Sequence, residues 1–289
     1  MSKIFEALQR SVSERTGSSF AEVSSVATEL LRETVAGSNV EHCVTLSPTL
    51  LPESRAIAIK DPGTIAAEKF RVLSVRLRDL KRRRELKRIL ITSALPDEGK
   101  SVVALNLAST LARIHQTRVL LVEGDMRKPT MRGELGLPAI KGLTEWLRAD
   151  LPVSEIICRV TPPGFCFLPA GEPLSNPLEL MQSGRLAVLL SEVAESFDWI
   201  IIDSTPVLPV ADTSVWGRLS DGILMVVREG KTEKRQLQKA LEAIDKSMLL
   251  GVVLNASSNG EHKSYYMYYA GSHVKGSVTK KSPRPSLNY

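Results

Sequence analysis

The chain has 289 residues, enough for one sizeable α/β domain with extensions, and its 43% hydrophobic content is ordinary for a water-soluble globular fold. Lys and Arg outnumber Asp and Glu by 38 to 32, a net charge of +6, without the aromatic interleaving or reading helix that nucleic-acid recognition requires. Apolar runs fall short of a membrane span, and the opening residues lack the apolar core and cleavage site of a secretory signal. Three unpatterned cysteines (Cys43, Cys158, Cys166) fit small apolar fillers in a reducing cytosol, and four scattered histidines show no metal-ligand spacing.

Residues 1–60 read as an N-terminal extension, partly helical or mobile. Ile4, Phe5, Leu8 and Val12 give a short amphipathic pattern there, and a weaker helical pattern runs from Phe20 to Val35. Asp61-Pro62-Gly63 is a turn signal. The spacing then predicts a helix over 64–87 with Phe70, Leu73, Leu77 and Leu80 on one face. The basic block Lys81–Arg88 suits anionic lipid or nucleic acid, but its plainer reading is a solvated helix end.

From Arg88 onward apolar strands are predicted at 88–93, 117–122, 164–168, 198–202, 222–227 and 250–254. Helical patterns lie between most of them, including 178–196 and 232–247. Near-continuous apolar strands with intervening helices mean an α/β fold, a mostly parallel sheet covered on both faces. The domain spans 61–260, and 261–289 reads as a flexible tail. Four of the five tyrosines, Tyr265, Tyr266, Tyr268 and Tyr269, fall in one short window of that tail. Such a cluster at a chain end suits phosphoryl acceptors better than a core, each phosphate adding about −1.5 to −2 charges.

The chemistry concentrates at strand ends. Ala94-Leu95-Pro96-Asp97-Glu98-Gly99-Lys100-Ser101 follows the first of these strands and precedes a helix beginning near Val102. A strand, a tight loop ending Gly-Lys-Ser and a helix make a phosphate cradle, the mark of a P-loop NTPase-like fold. Pro96, Asp97, Glu98, Gly99, Lys100, Ser101 and Val102 are therefore candidate nucleotide contacts. Lys100 would reach the β/γ-phosphates and Ser101 would ligate Mg²⁺. Glu123-Gly124-Asp125-Met126-Arg127-Lys128-Pro129 places two carboxylates at the next strand end, to hold water on Mg²⁺ or take a proton from an incoming hydroxyl. Taken alone, a polar loop with an internal Asp–Arg pair is an equal reading. Asp203, ending Ile200-Ile201-Ile202, is the expected Mg²⁺ partner of the phosphate loop, the alternative being a turn cap. Asn255, at the end of the last strand, either reads the nucleotide base or forms a turn.

From about residue 61 to 271 the chain resembles the bacterial tyrosine kinases of capsule and exopolysaccharide biosynthesis. The resemblance rests on the phosphate loop, on Glu123 to Pro129, and on Asp203-Ser204-Thr205-Pro206. It extends to Gly171 with Asn176-Pro177-Leu178-Glu179-Leu180, to Val226-Val227-Arg228-Glu229-Gly230-Lys231-Thr232, and to the tyrosine tail. It implies an ATP-dependent protein-tyrosine autokinase of the stand-alone cytoplasmic type, peripheral at the inner face of the plasma membrane. Lys100, Asp125, Glu123 and Asp203 would be catalytic, with Ser101, Asp125 and Asp203 holding Mg²⁺ at ATP. A tail tyrosine of one subunit would enter its neighbour's site. Glu68-Lys69-Phe70-Arg71 resembles a helix through which family members form rings, so Glu68 and Arg71 are candidate interface residues. The activating partner would be a membrane polysaccharide co-polymerase contributing a cytoplasmic tail. Four positions depart from the family pattern: Asp97 for Gly, Glu123 for Asp, Thr205 for Pro, and Ser74 for a second Arg on the ring helix. The competing readings are a spatial-organising ATPase, which would carry a Lys early in the loop where Ser93-Ala94-Leu95-Pro96 has none, and a nucleotide-binding regulator without kinase activity.

Overall fold

The computed structural model describes residues 43–114, 117–149 and 151–256. The helical patterns expected before residue 43 and the tyrosines from Tyr265 onward lie outside the described residues. The first half carries β1 (Val44–Leu46), α1 (Ile57–Lys60), α2 (Ile65–Lys81), β2 (Arg88–Ser93), α3 (Lys100–Ala112), β3 (Val119–Glu123), α4 (Met131–Leu135) and α5 (Leu143–Arg148). The second carries β4 (Cys158–Val160), β5 (Phe165–Leu168), α6 (Leu178–Met181), α7 (Arg185–Ala194), β6 (Trp199–Asp203), α8 (Asp212–Arg218), β7 (Gly222–Arg228), α9 (Lys234–Glu242) and β8 (Leu249–Asn255).

The strands form one sheet in the order β1-β4-β5-β3-β6-β2-β7-β8. Every neighbouring pair is parallel except β4 with β5. Parallel neighbours need crossover connections, and the intervening helices supply them on both faces. Side chains alternate accordingly. Ile89, Ile91, Leu121 and Ile201 enter one core with Leu77 of α2 and Val103, Leu107 and Leu111 of α3. Leu90, Leu120, Val122, Ile200 and Ile202 enter the other, with Trp146, Leu189, Leu190 and Trp216. β3 and β6 are buried along their whole length, on both faces, which is why they read as apolar runs.

The sheet is larger than the sequence pattern shows. β1 and β4 have three residues each, too short for a period to register. Cys43 to Lys60, read above as the end of an extension, supplies β1 and α1 to this same domain. Thr49 N–H donates to Leu135 O at 3.0 Å, and Ala58 N–H to the buried Asn106 Oδ1 at 2.8 Å. Two predicted helices are shorter than expected. The 178–196 pattern splits into α6 and α7 around Gly184, whose φ of +79° breaks the helix. The 232–247 pattern holds helix only over α9.

The helix predicted over 64–87 stops at Lys81, capped at its start by the Thr64 hydroxyl. The basic block beyond it is only partly a solvated end. Asp221 Oδ2 accepts from the amides of Lys87 and Arg88 at 2.8 and 2.7 Å, and its Oδ1 pairs with the Arg88 guanidinium at 2.9 Å. Lys87 Nζ reaches Ala194 O at 2.7 Å, and Lys81 lies over the Trp199 ring. These contacts turn the chain into β2 at the bottom of the sheet. Asp221→Ala strips two amides and a guanidinium of their acceptor, so it is expected to lower unfolding free energy by about 1–3 kcal/mol, read from urea denaturation.

Candidate nucleotide site

Register builds the site. β3 pairs with β6 so that Glu123 stands opposite Asp203, and β2 pairs with β6 so that Ile91 does too. β2 therefore runs two residues past Asp203, to Ser93, with Glu123 one strand further across the sheet. The loop from Ala94 to Gly99 closes onto α3, whose first residues are Lys100 and Ser101. The free N–H groups of this helix start face the place where a phosphate would sit.

Two residues of the loop are left-handed, Asp97 at φ +61° and Gly99 at +93°. Asp is among the few residues that tolerate this region, which accounts for its standing where Gly is usual. Gly99 has a second reason to be glycine: a Cβ there would lie 2.1 Å from Asn255 Nδ2. That nitrogen donates to Glu98 O at 2.9 Å, so Asn255 braces the loop from the end of β8. Pro96 and Asp97 form the exposed tip and Val102 is half-buried on α3, while Glu98 is buried. The Glu98 carboxylate accepts from Leu95 N–H at 3.0 Å and from the Thr232 hydroxyl. Thr232 in turn accepts from Arg228 N–H at 3.0 Å, and the Arg228 guanidinium donates to Asp97 O at 3.0 Å. The turn after β7 thus clamps the phosphate loop. Nothing in the sequence assigns Arg228 and Thr232 this work, because the partners lie more than a hundred residues away.

Lys100 Nζ sits 2.9 Å from Asp125 Oδ2 and 3.2 Å from Ser101 Oγ. Burial opposes its charge, but the carboxylates of Asp203 and Asp125 outweigh it and hold the lysine proton above the usual range. Asp203 is fully buried. Burial pushes its carboxyl up to about 7, against the pull of the Lys100 charge and the Ser101 hydroxyl, and Asp125 and Glu123 push it further. Asp203 Oδ1 has no hydrogen-bond partner among the described residues. A buried acceptor in that state fits a cation or its water, as does the adjacent Ser101 hydroxyl. Among the described residues no three His, Cys, Asp or Glu side chains form a metal cage. Mg²⁺ needs none, because it is held by one or two carboxylates together with substrate phosphates.

Glu123 differs from its neighbours. Its Oε1 accepts from Thr130 and Met131 N–H, both at 2.7 Å, and its Oε2 from Ala170 N–H at 3.2 Å. Desolvation still raises its pKa, the three amides pulling the other way. Glu123 also lines a cavity of about 720 Å³ walled by Leu51, Pro129, Leu137 and Pro169. Glu68 and Arg71 lie apart, on α2, where they pair with each other; Ser74 is buried, its hydroxyl on Arg71 O at 2.7 Å.

No family model matches the chain. It is 34% identical over 218 residues to tyrosine-protein kinase YwqD of Bacillus subtilis, covering 75% of this chain and 92% of that protein. Among solved structures it is similar to the chimerical protein CapA2B2, with a TM-score of 0.67, 29% identity and coverage of 77% and 97% of the two chains. The kinase domain of Escherichia coli tyrosine kinase ETK gives 0.65, 26%, 71% and 82%.

Two outcomes follow from this geometry. Gly99→Ala is expected to displace Asn255 or distort the loop and to weaken nucleotide binding at least about tenfold, measured by fluorescence titration. The second concerns pH without nucleotide. The Asp203 pKa of about 7 exceeds the ordinary 3.8, so folding disfavours its charged form. That penalty is absent below about pH 4 and complete above about pH 7. The melting temperature of Asp203→Asn relative to the parent is therefore expected to rise across this window.

Proposed function

This chain belongs to the bacterial tyrosine-protein kinases of capsule and exopolysaccharide biosynthesis, and we propose that it transfers the γ-phosphate of ATP to Tyr265, Tyr266, Tyr268 and Tyr269 of a neighbouring copy. The observation that carries this reading is the trio of buried Asp125 and Asp203 with half-buried Lys100, behind a braced phosphate loop, in a chain with a tyrosine run.

Phosphoryl transfer asks a protein mainly for positioning and charge. The amides of the loop and of the α3 start bind the phosphates. Lys100, now paired with Asp125, turns to the β/γ-phosphates. Ser101, Asp203 and Asp125 would hold Mg²⁺, which when bound neutralises phosphate charge. Asp125 would also take the proton of the acceptor tyrosine, whose phenol is a poor nucleophile while protonated. Glu123 contributes through the backbone, fixing Thr130, Met131 and Ala170 beside the acidic loop.

Transfer between copies requires self-association. Glu68 and Arg71 stand on an exposed stretch of α2, the face we assign to a ring of subunits. No described helix is long and apolar enough to cross a membrane. Activation would come from the cytoplasmic tail of a membrane polysaccharide co-polymerase, which would also hold the kinase at the inner face of the plasma membrane.

Intact-mass spectrometry before and after incubation with ATP and Mg²⁺ tests the reading, beside a Lys100→Met control. Mass gains in phosphate steps that map to Tyr265–Tyr269 and vanish in the control are expected. ATP bound without any gain, even with the partner's tail added, would make the chain a nucleotide-dependent regulator.

A further inference from the structure

One ion pair near the site is used by none of the steps above. Asp212 opens α8 with its side chain buried, and both of its oxygens accept from Arg127, Nε to Oδ2 at 2.6 Å and Nη2 to Oδ1 at 3.0 Å. Arg127 follows Asp125 by two residues. Asp212 lies beyond the turn that follows Asp203. A single fork therefore ties the loop after β3 to the segment after β6, the two stretches that carry the acidic groups of the site. The third guanidinium nitrogen donates to Ser175 O, which closes the other side.

Resting on the kinase reading, we propose that Arg127 and Asp212 are a positioning pair that sets Asp125 against Asp203. The surrounding contacts show how little play remains. Gly124 N–H donates to Asp203 O at 2.8 Å, and Trp216 Nε1 of α8 donates to Gly124 O at 3.1 Å. A Cβ on Gly124 would lie 2.6 Å from Asp203 O and 2.7 Å from the Trp216 ring. The loop is thus fixed to β6 and α8 on the near side of Asp125, and the Arg127 fork fixes it on the far side. Asp125 in between turns Oδ2 to Lys100 and Oδ1 to the Lys128 amide at 3.1 Å.

The choice of residues points to geometry more than to stability. Asp212 is buried while Arg127 is partly exposed, and the cost of desolvating the carboxylate offsets much of the attraction between them. A bidentate guanidinium–carboxylate fork, however, fixes both distance and plane, which a lysine cannot do. Misplacing a reacting group by about 1 Å can lower a rate by about 100-fold. The pair therefore acts on catalysis through Asp125 and touches no substrate itself.

Arg127→Lys, which keeps the charge and loses the fork, is the decisive variant, beside Asp212→Asn and the double variant Arg127→Lys/Asp212→Asn. Three quantities are read: ATP affinity without Mg²⁺, hydrogen exchange of the Lys128 amide in the nucleotide-free protein, and the rate of tail phosphorylation. In Arg127→Lys, ATP affinity is expected to stay within about threefold of the parent while phosphorylation falls at least about tenfold. The Lys128 amide is expected to exchange at least about tenfold faster while β3 stays protected. The double variant is expected to be no slower than the slower single one, since the two side chains act as one unit. Unchanged phosphorylation, unchanged Lys128 exchange, or single losses that multiply in the double variant would each overturn the proposal. Should Asp212→Asn fail to fold, Arg127→Lys alone decides. A parent without phosphotyrosine, even with the partner's tail added, would sink the kinase reading, while exchange at Lys128 would still test the positioning pair.

Discussion

Three carboxylates and one lysine share the buried carboxyl end of a parallel sheet, and the strand register leaves them no alternative. Glu123 and Asp203 are cross-strand neighbours on β3 and β6, and the loop from β2 leaves the sheet beside Asp203. Burying like charges together is costly, and the protein meets the cost differently at each residue. Glu123 is satisfied by three backbone amides. Asp125 is satisfied by Lys100 and the Lys128 amide. Asp203 is left with a raised pKa and one oxygen without a partner. The unrelieved cost of burial is thus concentrated at the one carboxylate that faces Ser101 and the phosphate loop, which is where a cation relieves it.

The loop itself depends on the far side of the sheet. One of its two left-handed residues, Asp97, is not a glycine, and that conformation costs backbone energy. Thr232, Arg228 and Asn255 hold it from the ends of β7 and β8, two of them through Glu98. The acidic loop depends in the same way on α8, through Trp216 and Asp212. Each half of the site is therefore braced by an element that contributes no reacting group.

Seen in three dimensions, the departures from the family pattern have physical reasons. Asp97 occupies a left-handed position that Asp accepts. The longer Glu123 side chain reaches amides on two separate segments, Thr130–Met131 and Ala170. Thr205 is buried with its hydroxyl 3.0 Å from that of Thr213 on α8, a bond that proline lacks. Ser74 points inward, and an arginine there would have to emerge from the core beside Leu77.

Strand–loop–helix order, the Gly-Lys-Ser ending and carboxylates closing apolar runs are local signals, so the phosphate loop, Asp125, Asp203 and the central parallel strands were all legible in the chain. The period of a buried strand and the backbone demands of a phosphate cradle act over fewer than ten or so residues, and the sequence records them directly. The three-residue strands β1 and β4, the end of α2 at Lys81, the bracing by Arg228 and Thr232 and the Arg127–Asp212 fork were not legible. Each is fixed by a partner far along the chain: Asp221 for the turn into β2, Asp97 and Glu98 for the turn after β7, Asp212 for Arg127. Local residues determined which chemistry this protein carries. Only the packing of distant strand ends decided which charges meet, because side-chain hydrogen bonds reach about 3 Å and a sequence does not state what lies within that distance.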